Sequence, residues 1–413
     1  MATTEQGFGA SIARLRSAAA IRERAGRIFA ACERGALAHF SLELARLDEV
    51  ARFVVETTRE RYPDLAIPYH SRWRHFEVGG TARWPALARR LAGLPTPEIA
   101  RRRIELATVS VLLDAGAGET WHYREPGSGR DYARSEGLAV ASLAMFAAGF
   151  FSADAKDPMR VDAVSLENID AARLAAALQV NPENPMIGIE GRATLLRRLG
   201  AAVMAGHDLF GAGARLGHLL DALDRRRVDG KLPAAAILAL MLDAFSEIWP
   251  GGQRIDGKNL GDVWPHHAAR ANDGDPDDGL VPFHKLSQWL CYSLIEPLED
   301  AGIVVSEVEA LTGLPEYRNG GLFIDMGVIV PRRGEILAER HVVSSETVIE
   351  WRALTVVLLD RLAARVGALL GRDRFPLPLL LEGGSWAAGR RIAARKRAGG
   401  TPPILVESDG TVF

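Results

Sequence analysis

Lys285, Gln288 and Glu316 have the types and spacing of residues that could share an active site. Lys285 and Gln288 lie one turn apart in a predicted helix, about residues 283–300, whose apolar residues recur at helical intervals. About thirty residues later, residues 314–321 (LPEYRNGG) place Glu316 and an arginine between a proline and two glycines, which predicts a turn. A carboxylate close to cations can stabilise a cationic intermediate or activate water. From the pattern alone, the alternative is a surface helix followed by a loop salt bridge.

A second polar stretch concentrates cations and aromatic rings in Arg72, Trp73, Arg74 and His75, followed by Phe76. An arginine can bind a phosphate while an aromatic ring covers a ribose or a base. The alternative is a loop that a buried tryptophan holds in place while its arginines face solvent.

The elements that must position these residues are predicted to be mainly helical. Glu350 and Arg352 are polar exceptions near the start of a long predicted helix that begins at about residue 346, so they are either exposed to solvent or buried in a structural or substrate-binding role. Residues 322–331 alternate weakly, which predicts a short strand. Apolar periodicity predicts helices at about 97–113, 138–153, 232–248 and 346–369, the last opened by Ser344-Ser345.

Glu382-Gly383-Gly384-Ser385 precedes a further predicted helix close to the C-terminus. Glycines and a serine at the start of a helix can bind a phosphate. The alternative is a tail that docks on the core, and the sequence does not separate the two.

Composition predicts an ordinary soluble globular protein and narrows the classes of function. The 413 residues are 48% hydrophobic and 25% charged, with a formal net charge of −2. This charge predicts no broad basic surface, so we expect no nucleic-acid partner and favour a nucleotide-sized substrate. Two cysteines, Cys32 and Cys291, exclude a disulfide framework and a cysteine-based zinc site.

We predict a cytoplasmic protein without a membrane segment, a metal or a cofactor. The N-terminus has no basic stretch followed by an apolar run, and the longest apolar stretch is too short to span a bilayer comfortably. The small number of cysteines suits a reducing cytoplasm. Two adjacent histidines, His266 and His267, lack the spacing of metal ligands. No oligomeric state is predicted.

Several long strings of the sequence resemble a family of uracil-catabolism proteins of fungi and bacteria, formerly classed as a domain of unknown function. The resemblance covers nearly the whole chain, including the end, SDGTVF. The other strings are SRWRHF (71–76), LLDAGAG (112–118), RSEGL (134–138), GDVWPH (261–266), FHKLSQW (283–289), LPEYRNGG (314–321) and EGGSWAAGR (382–390).

A fainter resemblance indicates the chemistry. Phe283-x-Lys285-x-x-Gln288, then EYR at 316–318, then IEWRA at 349–353 are similar in order and spacing to queuosine-5′-phosphate N-glycosidases. Those enzymes resemble helical DNA glycosylases and cleave a ribose–base bond with a carboxylate at the position of Glu316. Their pattern has aspartate there, whereas this chain has glutamate, which is one methylene longer.

The resemblance implies a mainly α, two-lobed, DNA-glycosylase-like fold with a few short strands and with Glu316 at a cleft. It implies one catalytic domain over residues 1–413, in which residues 372–413 form a C-terminal extension docking on the core. Catalytic roles fall on Glu316, Lys285 and Arg318. Substrate-binding roles fall on Arg72, Trp73, Arg74, His75, Gln288, Tyr317, Glu350 and Arg352.

The implied function is hydrolysis of a ribose N-glycosidic bond in uracil catabolism. Because that pathway must release urea from a ribosylurea intermediate, the expected substrate is ribosylurea, as its 5′-phosphate, and the expected partner is this small ribose phosphate. Lys285 could instead attack the sugar and form a Schiff base. One rival function is a pyrimidine ring-opening amidohydrolase, for which the sequence offers neither a clear metal cluster nor a clear nucleophile. The other rival is a non-catalytic ribose-phosphate-binding partner in the same pathway.

Overall fold

A computed structural model describes residues 2–118, 120–249, 252–271 and 274–407, with side chains from Gly7 onward. Helices make up 58% of the structure and its strands are short, which confirms a mainly α fold. Each described strand pairs with one other strand, so every described sheet has two strands. Within the described ranges, no helix combines the length and the apolar character needed to cross a membrane. Of the predicted C-terminal extension, residues 408–413 lie outside these ranges.

The described residues divide into two compact units, and the first draws on three parts of the chain: 1–70, 252–288 and 307–407. Its strand pairs are Phe40–Leu42 with Ile329–Pro331, Arg254–Ile255 with Lys258–Asn259 and Val263–Pro265 with Leu280–Pro282, all antiparallel, and Arg340–His341 with Leu405–Val406, parallel. Its helices are Ala2–Leu15, Ala18–Glu33, Leu47–Arg61, the first turn of Lys285–Asp300, Tyr317–Asp325, Glu335–Ala338, Glu346–Leu369, Leu377–Leu380 and Trp386–Lys396, with a π-helix at Leu381–Ser385 and 3₁₀ turns at Leu44–Arg46, His267–Ala269, Val308–Ala310 and Ala398–Gly400.

The second unit contains residues 71–251 and 289–306, and so includes the rest of the helix Lys285–Asp300. Its two strand pairs are His122–Arg124 with Asp131–Ala133, antiparallel, and Leu232–Pro233 with Val305–Ser306, parallel. Its other helices are Arg72–Phe76, Arg83–Ala88, Thr96–Leu112, Arg134–Ala147, Ala163–Glu167, Ala171–Ala177, Ile189–Ala205, His207–Phe210, Leu219–Asp224 and Ala234–Phe245, with 3₁₀ turns at Val78–Gly80, Arg89–Leu91, Leu216–His218 and Ser246–Ile248.

The helix Glu346–Leu369 forms the core of the first unit. Ser345 caps its start, since the Ser345 hydroxyl accepts a hydrogen bond from the Val348 N–H at 3.4 Å. Its apolar stripe packs against the helices Ala18–Glu33 and Leu47–Arg61. The predicted apolar residues of this helix are buried, except that Leu369, in its last turn, is exposed.

The predicted turn at residues 314–321 is wrong, because the helix Tyr317–Asp325 begins inside it. Gly320 and Gly321 lie within this helix, where they permit close packing and do not form a turn. A Cβ atom on Gly320 would lie 2.6 Å from the indole ring of Trp351, and one on Gly321 would lie 2.9 Å from Pro403. The same helix occupies residues 322–325, so the strand predicted at 322–331 is confined to Ile329–Pro331.

The helix predicted at about 138–153 begins and ends earlier, at Arg134–Ala147. Gly149 follows it with a φ of 80°, and a Cβ there would lie 2.9 Å from Pro158. A glycine in the left-handed region ends a helix without steric cost, which explains the earlier end.

Gly320→Ala should lower the free energy of unfolding by about 1–3 kcal/mol, because the added methyl group forces the indole of Trp351 out of its packed position. The matched control is Gly26→Ala, in the helix Ala18–Glu33, where the new Cβ meets no atom within 4 Å. This control should instead raise the free energy of unfolding by about 0.5–1 kcal/mol through helix propensity. Urea denaturation of both variants provides the comparison, and an equal response at the two positions would contradict the packing argument.

Candidate active site

Glu316 is buried and is the N-cap of the helix Tyr317–Asp325. Its two carboxylate oxygens each accept one backbone hydrogen bond, Oε2 from the Arg318 N–H at 2.7 Å and Oε1 from the Asn319 N–H at 2.6 Å. These are two of the N–H groups that the first turn of a helix leaves without intrahelical acceptors. The carboxylate is therefore fixed in orientation, while each oxygen keeps a further lone pair.

The surroundings of Glu316 act on its ionisation in opposite directions. Burial raises the pKa of the carboxyl group, whereas the two backbone hydrogen bonds and the positive charges of Lys285 and Arg318 lower it. Burial dominates, and the pKa lies above its usual range. A carboxylate with a raised pKa is a better proton acceptor than an exposed one, which suits a group that activates water.

Lys285 and Gln288 begin the helix Lys285–Asp300, as the sequence predicted, and both are buried. The Lys285 backbone N–H donates to Asp262 Oδ2 at 3.1 Å. The Gln288 side-chain oxygen accepts a weak hydrogen bond from the Thr312 N–H at 3.4 Å. Among the described residues, none accepts a hydrogen bond from the Gln288 Nε2 group. A fully buried donor of this kind is costly unless a ligand pairs with it.

A bidentate ion pair between Asp262 and Arg352 lies directly beside Lys285. Arg352 donates from Nη1 to Asp262 Oδ1 at 2.8 Å and from Nη2 to Oδ2 at 2.6 Å, and both side chains are buried. Burial raises the pKa of Asp262, but the charge and hydrogen bonds of Arg352 outweigh it and lower that pKa to about 2. The Trp264 Nε1–H also donates to Asp262, at 2.8 Å. Asp262 is therefore ionised at neutral pH.

Arg352 also connects this pair to the loop before Glu316. Its guanidinium carbon lies 4.1 Å from the centre of the Phe283 ring, and its Nε–H points to the Pro315 carbonyl oxygen at 3.4 Å. Arg352 thus contacts both the residue two positions before Lys285 and the residue next to Glu316. Lys285, Gln288, Glu316 and Arg352 are all buried in the first unit, and the charge of Lys285 influences Glu316. That they form one active site stays a prediction.

Tyr317 and Arg318 follow Glu316 in the first turn of the helix. The Arg318 guanidinium stacks over the Tyr317 ring, 4.9 Å from its centre, and donates to the Gly400 carbonyl oxygen at 2.7 Å. The link between Glu316 and Arg318 runs through the Arg318 backbone N–H. The alternative of a surface helix followed by a loop salt bridge is therefore wrong, because Lys285, Glu316 and Arg318 are all buried.

Glu350 is fully buried, which excludes the solvent-exposed alternative for this residue. Its carboxylate accepts from the His39 backbone N–H at 3.2 Å and contacts His39 Nδ1 at 3.1 Å, and His266 Nε2 lies 3.7 Å away. Burial raises the pKa of Glu350, but hydrogen bonds from His266 and His39 outweigh it and give a lowered pKa. Its observed contacts are thus with two histidines, and its predicted contact with substrate stays a prediction.

Arg72 and His75 lie in the second unit, in a buried polar cluster. The Arg72 guanidinium donates to the Ser110 hydroxyl at 2.7 Å and to the Ser135 hydroxyl at 3.0 Å, and it forms an ion pair with Asp114 at 2.9 Å. His75 Nδ1 lies 3.0 Å from the same Ser135 hydroxyl. Burial is the largest influence on Arg72 and lowers its pKa. A substrate contact for these two residues stays a prediction.

The structural alternative for this stretch is correct only for the buried Trp73, because the stretch forms the helix Arg72–Phe76 in place of a loop and Arg72 is buried, not solvent-facing. The Trp73 Nε1–H donates to the Ser293 carbonyl oxygen at 2.9 Å, and the ring is buried under the Arg103 guanidinium at 4.0 Å. Arg74 is partly exposed and pairs with Glu296 at 2.7 Å. Trp73 thus stabilises the second unit, and a role in substrate binding stays a prediction for both residues.

A family model described as "Protein of unknown function (DUF1688)" matches residues 14–413. The chain belongs to the DUF1688 family. It is 40% identical over 415 residues to "Protein urg3" of Schizosaccharomyces pombe, covering 98% of this chain and 99% of the relative. It is 39% identical over 430 residues to "Uracil catabolism protein 4" of Lachancea kluyveri, covering 96% of this chain and 98% of the relative. The resemblance to a uracil-catabolism family is thus confirmed.

One group of residues in this DUF1688 protein has donor atoms close enough to hold a metal ion. Single donor atoms of His266, His267 and Glu346 lie within 4.8 Å of one another. His267 and Glu346 are exposed and contact each other at 3.3 Å, and the rings of the two histidines stack with centres 4.7 Å apart. An exposed ion pair explains this arrangement equally well, and the prediction that this DUF1688 protein uses no metal stays a prediction.

Two residues of the DUF1688 site were absent from the predicted set, namely Asp262 and Asn319. The role of Asp262 becomes visible only from its ion pair with Arg352, which is ninety positions later in the chain. Asn319 contacts Glu316 through its backbone N–H, which every residue type except proline provides. Their occurrence in two of the motif strings, GDVWPH and LPEYRNGG, was the signal available in the sequence.

Asp262→Asn should lower the free energy of unfolding of the DUF1688 protein by about 3–5 kcal/mol at neutral pH, because it removes the negative charge that pairs with the buried Arg352 guanidinium. The matched control is Asp48→Asn, which breaks an exposed pair with Arg365 and should cost less than about 1 kcal/mol.

The pH dependence of the same comparison is a second check. The pKa of Asp262 is depressed in the folded state, so its contribution is present above its unfolded pKa and is lost as pH falls toward 2. The stability difference between wild type and Asp262→Asn should therefore narrow as pH falls from about 4 toward 2. A difference that is constant over this range would show that the pair is not ionic.

Proposed function

We propose that this DUF1688 protein is a hydrolase of uracil catabolism that cleaves the N-glycosidic bond of ribosylurea, as its 5′-phosphate, to give urea and ribose phosphate. The observation that carries the proposal is the buried Glu316 carboxylate, which two backbone N–H groups orient and which the charge of Lys285 influences. The name of the Lachancea kluyveri relative, which is 39% identical to this chain, supports the pathway.

A carboxylate in such a setting suits the chemistry of this bond. As the bond from the sugar C1 to the urea nitrogen breaks, its electron pair leaves with the nitrogen, and positive charge develops on C1 and the ring oxygen. An ionised Glu316 next to C1 stabilises this charge and accepts a proton from the attacking water. The water oxygen bonds to C1, and the proton passes from Glu316 to the departing urea. Water is the only co-reactant, so the proposed reaction needs no cofactor.

Lys285 and Gln288 provide the donors that such a substrate needs. The Lys285 charge favours ionisation of Glu316, and its ammonium group can stabilise negative charge on the leaving urea or bind the phosphate. The Gln288 Nε2 group, which has no acceptor among the described residues, can donate to a sugar hydroxyl. Arg352, which pairs with Asp262 and donates to the Pro315 carbonyl oxygen, supports the start of the Lys285 helix, and it stays a candidate for substrate binding.

We include Arg72, Arg74, His75, Trp73, Tyr317 and Glu350 in the proposal only as candidates for binding the ribose phosphate. The proposed partner is this small molecule, with no nucleic acid and no membrane, and the proposed location is the cytoplasm. The formal net charge of −2 supports a small anionic substrate over a polyanion.

Glu316→Gln should reduce urea release from ribosylurea 5′-phosphate by about 10²–10⁴-fold, since the amide keeps the shape of the side chain but neither stabilises the cation nor accepts the proton. The matched control, Glu33→Gln, replaces an exposed glutamate that pairs with Arg361 and should leave turnover unchanged. Urea and ribose phosphate are measured together.

Each other outcome of this assay has a definite meaning. No urea from folded wild-type protein would refute the substrate assignment, and thermal stabilisation by the compound without turnover would favour a non-catalytic binding partner. Full activity of Glu316→Gln would keep the reaction and remove Glu316 from its centre.

The acidic limb of kcat/KM against pH should lie above the ordinary pKa of a glutamate, about 4.3, because the pKa of Glu316 is raised and the ionised form is the active one. Lys285→Met should move this limb to still higher pH, because the lost positive charge had favoured ionisation. Lys258→Met, at an exposed position, is the control and should leave the limb in place. A limb that does not move in Lys285→Met would exclude an electrostatic role for Lys285.

A further inference from the structure

The C-terminal segment Leu381–Gly400 contacts both residues whose N–H groups hold Glu316. Ser385 contacts Asn319, and Gly389 and Gly400 contact Arg318. Because the Arg318 and Asn319 N–H groups alone orient the carboxylate through hydrogen bonds in the described structure, a segment that fixes both residues also fixes Glu316.

Ser385 holds the side chain of Asn319. The Ser385 hydroxyl donates to Asn319 Oδ1 at 2.8 Å, and the Asn319 Nδ2 group donates to the Leu314 carbonyl oxygen at 3.2 Å. The side chain of Asn319 therefore bridges from Ser385 to the residue two positions before Glu316. Ser385 and Asn319 are fully buried, so water does not compete for these bonds.

Gly389 holds the backbone of Arg318. A Cβ atom on Gly389 would lie 2.3 Å from the Arg318 carbonyl oxygen, so only glycine lets the helix Trp386–Lys396 approach this closely. Beyond that helix, the Gly400 carbonyl oxygen accepts a hydrogen bond from Arg318 Nη1 at 2.7 Å. Arg318 is thus held at its backbone and at its guanidinium.

The π-helix Leu381–Ser385 gives Ser385 a rigid support. Gly384 packs against the helix Leu47–Arg61, where a Cβ atom would lie 2.5 Å from the Thr58 hydroxyl. Glu382 is buried and binds Arg61, Tyr62 and His70, each at 2.8 Å. Burial raises the pKa of Glu382, but these three partners outweigh it and lower the pKa to about 2, and His70 has the largest effect of the three. π-helical turns are frequent at functional sites.

We propose that the segment Leu381–Gly400 is a positioning element for Glu316, with Ser385 and Gly389 as its positioning residues. The inference rests on the proposed catalytic role of Glu316. It assigns to this segment both the orientation of the carboxylate and part of the control of its ionisation. If the first turn of the helix loosens, its N–H groups donate less well to the carboxylate, which then ionises less readily and points less accurately at C1.

The test compares Ser385→Ala with Ser17→Ala. Ser17 caps the helix Ala18–Glu33, accepting from the Ala20 N–H at 3.1 Å and donating to the Arg14 carbonyl oxygen at 2.7 Å, so the control also removes a hydroxyl group with structural hydrogen bonds. Ser385→Ala should lower kcat by about 10–100-fold with little change in KM, and should move the acidic limb of the pH profile upward. Ser17→Ala should lower stability only.

A second readout does not depend on turnover. Between pH 4 and 8, the free energy of unfolding of the wild type is compared with that of Glu316→Gln. In the same way, the free energy of unfolding of Ser385→Ala is compared with that of the double variant that also carries Glu316→Gln. Because the folded pKa of Glu316 is raised, the difference declines as pH rises and levels off above that pKa. In the Ser385→Ala background, the levelling should occur at higher pH. This readout remains informative even if ribosylurea phosphate proves not to be the substrate.

The outcomes separate the positioning role from a merely structural one. Ser385→Ala could lose stability as Ser17→Ala does and yet keep the wild-type position of the acidic limb. If the pH at which its stability difference levels off is also that of the wild type, the proposal is overturned. Gly389→Ala should show a larger change in the same direction as Ser385→Ala. If Gly389→Ala does not fold, the kinetic and stability measurements on Ser385→Ala are sufficient to test the proposal.

Discussion

The candidate site depends on the buried ion pair between Asp262 and Arg352. Asp262 accepts from the Lys285 backbone N–H with one side-chain oxygen, and its carbonyl oxygen accepts from the Phe283 N–H at 2.9 Å. Arg352 reaches the Pro315 carbonyl oxygen from the longest helix. One pair therefore fixes the start of the Lys285 helix relative to the loop that carries Glu316. Two charges buried in this way contribute little net stability but enforce one arrangement of the segments they join.

Under the proposed function, Glu316 serves both folding and chemistry. As an N-cap it satisfies two N–H groups of its helix, which stabilises the local fold. The same bonds hold its carboxylate in one orientation before any substrate binds. Burial opposes ionisation of the carboxyl group and raises its pKa, whereas the two N–H groups favour ionisation and lower it. The helix thereby supplies the fixed dipoles that an exposed carboxylate would obtain from water.

Those features that depend on local pattern were predictable from the sequence. The helices at Lys285–Asp300 and Glu346–Leu369 follow from apolar periodicity, which depends on neighbours within two turns. Gly320 and Gly321 were misinterpreted, because a glycine pair indicates a turn unless one knows that an indole ring and a proline occupy the space of the missing side chains. The roles of Asp262 and Ser385 were not predictable, since each depends on a partner more than sixty residues away.

The glutamate in place of the aspartate of the N-glycosidase pattern has a consequence for geometry. Short side chains such as aspartate and serine are the usual N-caps, and glutamate is not among them. Here the longer side chain still accepts from both Arg318 and Asn319, one N–H group to each oxygen. The helix thus engages one lone pair of each oxygen, and in the proposed reaction the other lone pair of each oxygen faces the sugar carbon and its attacking water. A carboxylate that accepts from these two N–H groups lies at hydrogen-bond distance from them whichever side chain carries it. The additional methylene of glutamate therefore changes the path from the Cα atom to the carboxylate and leaves the distance from the carboxylate to the N–H groups unchanged.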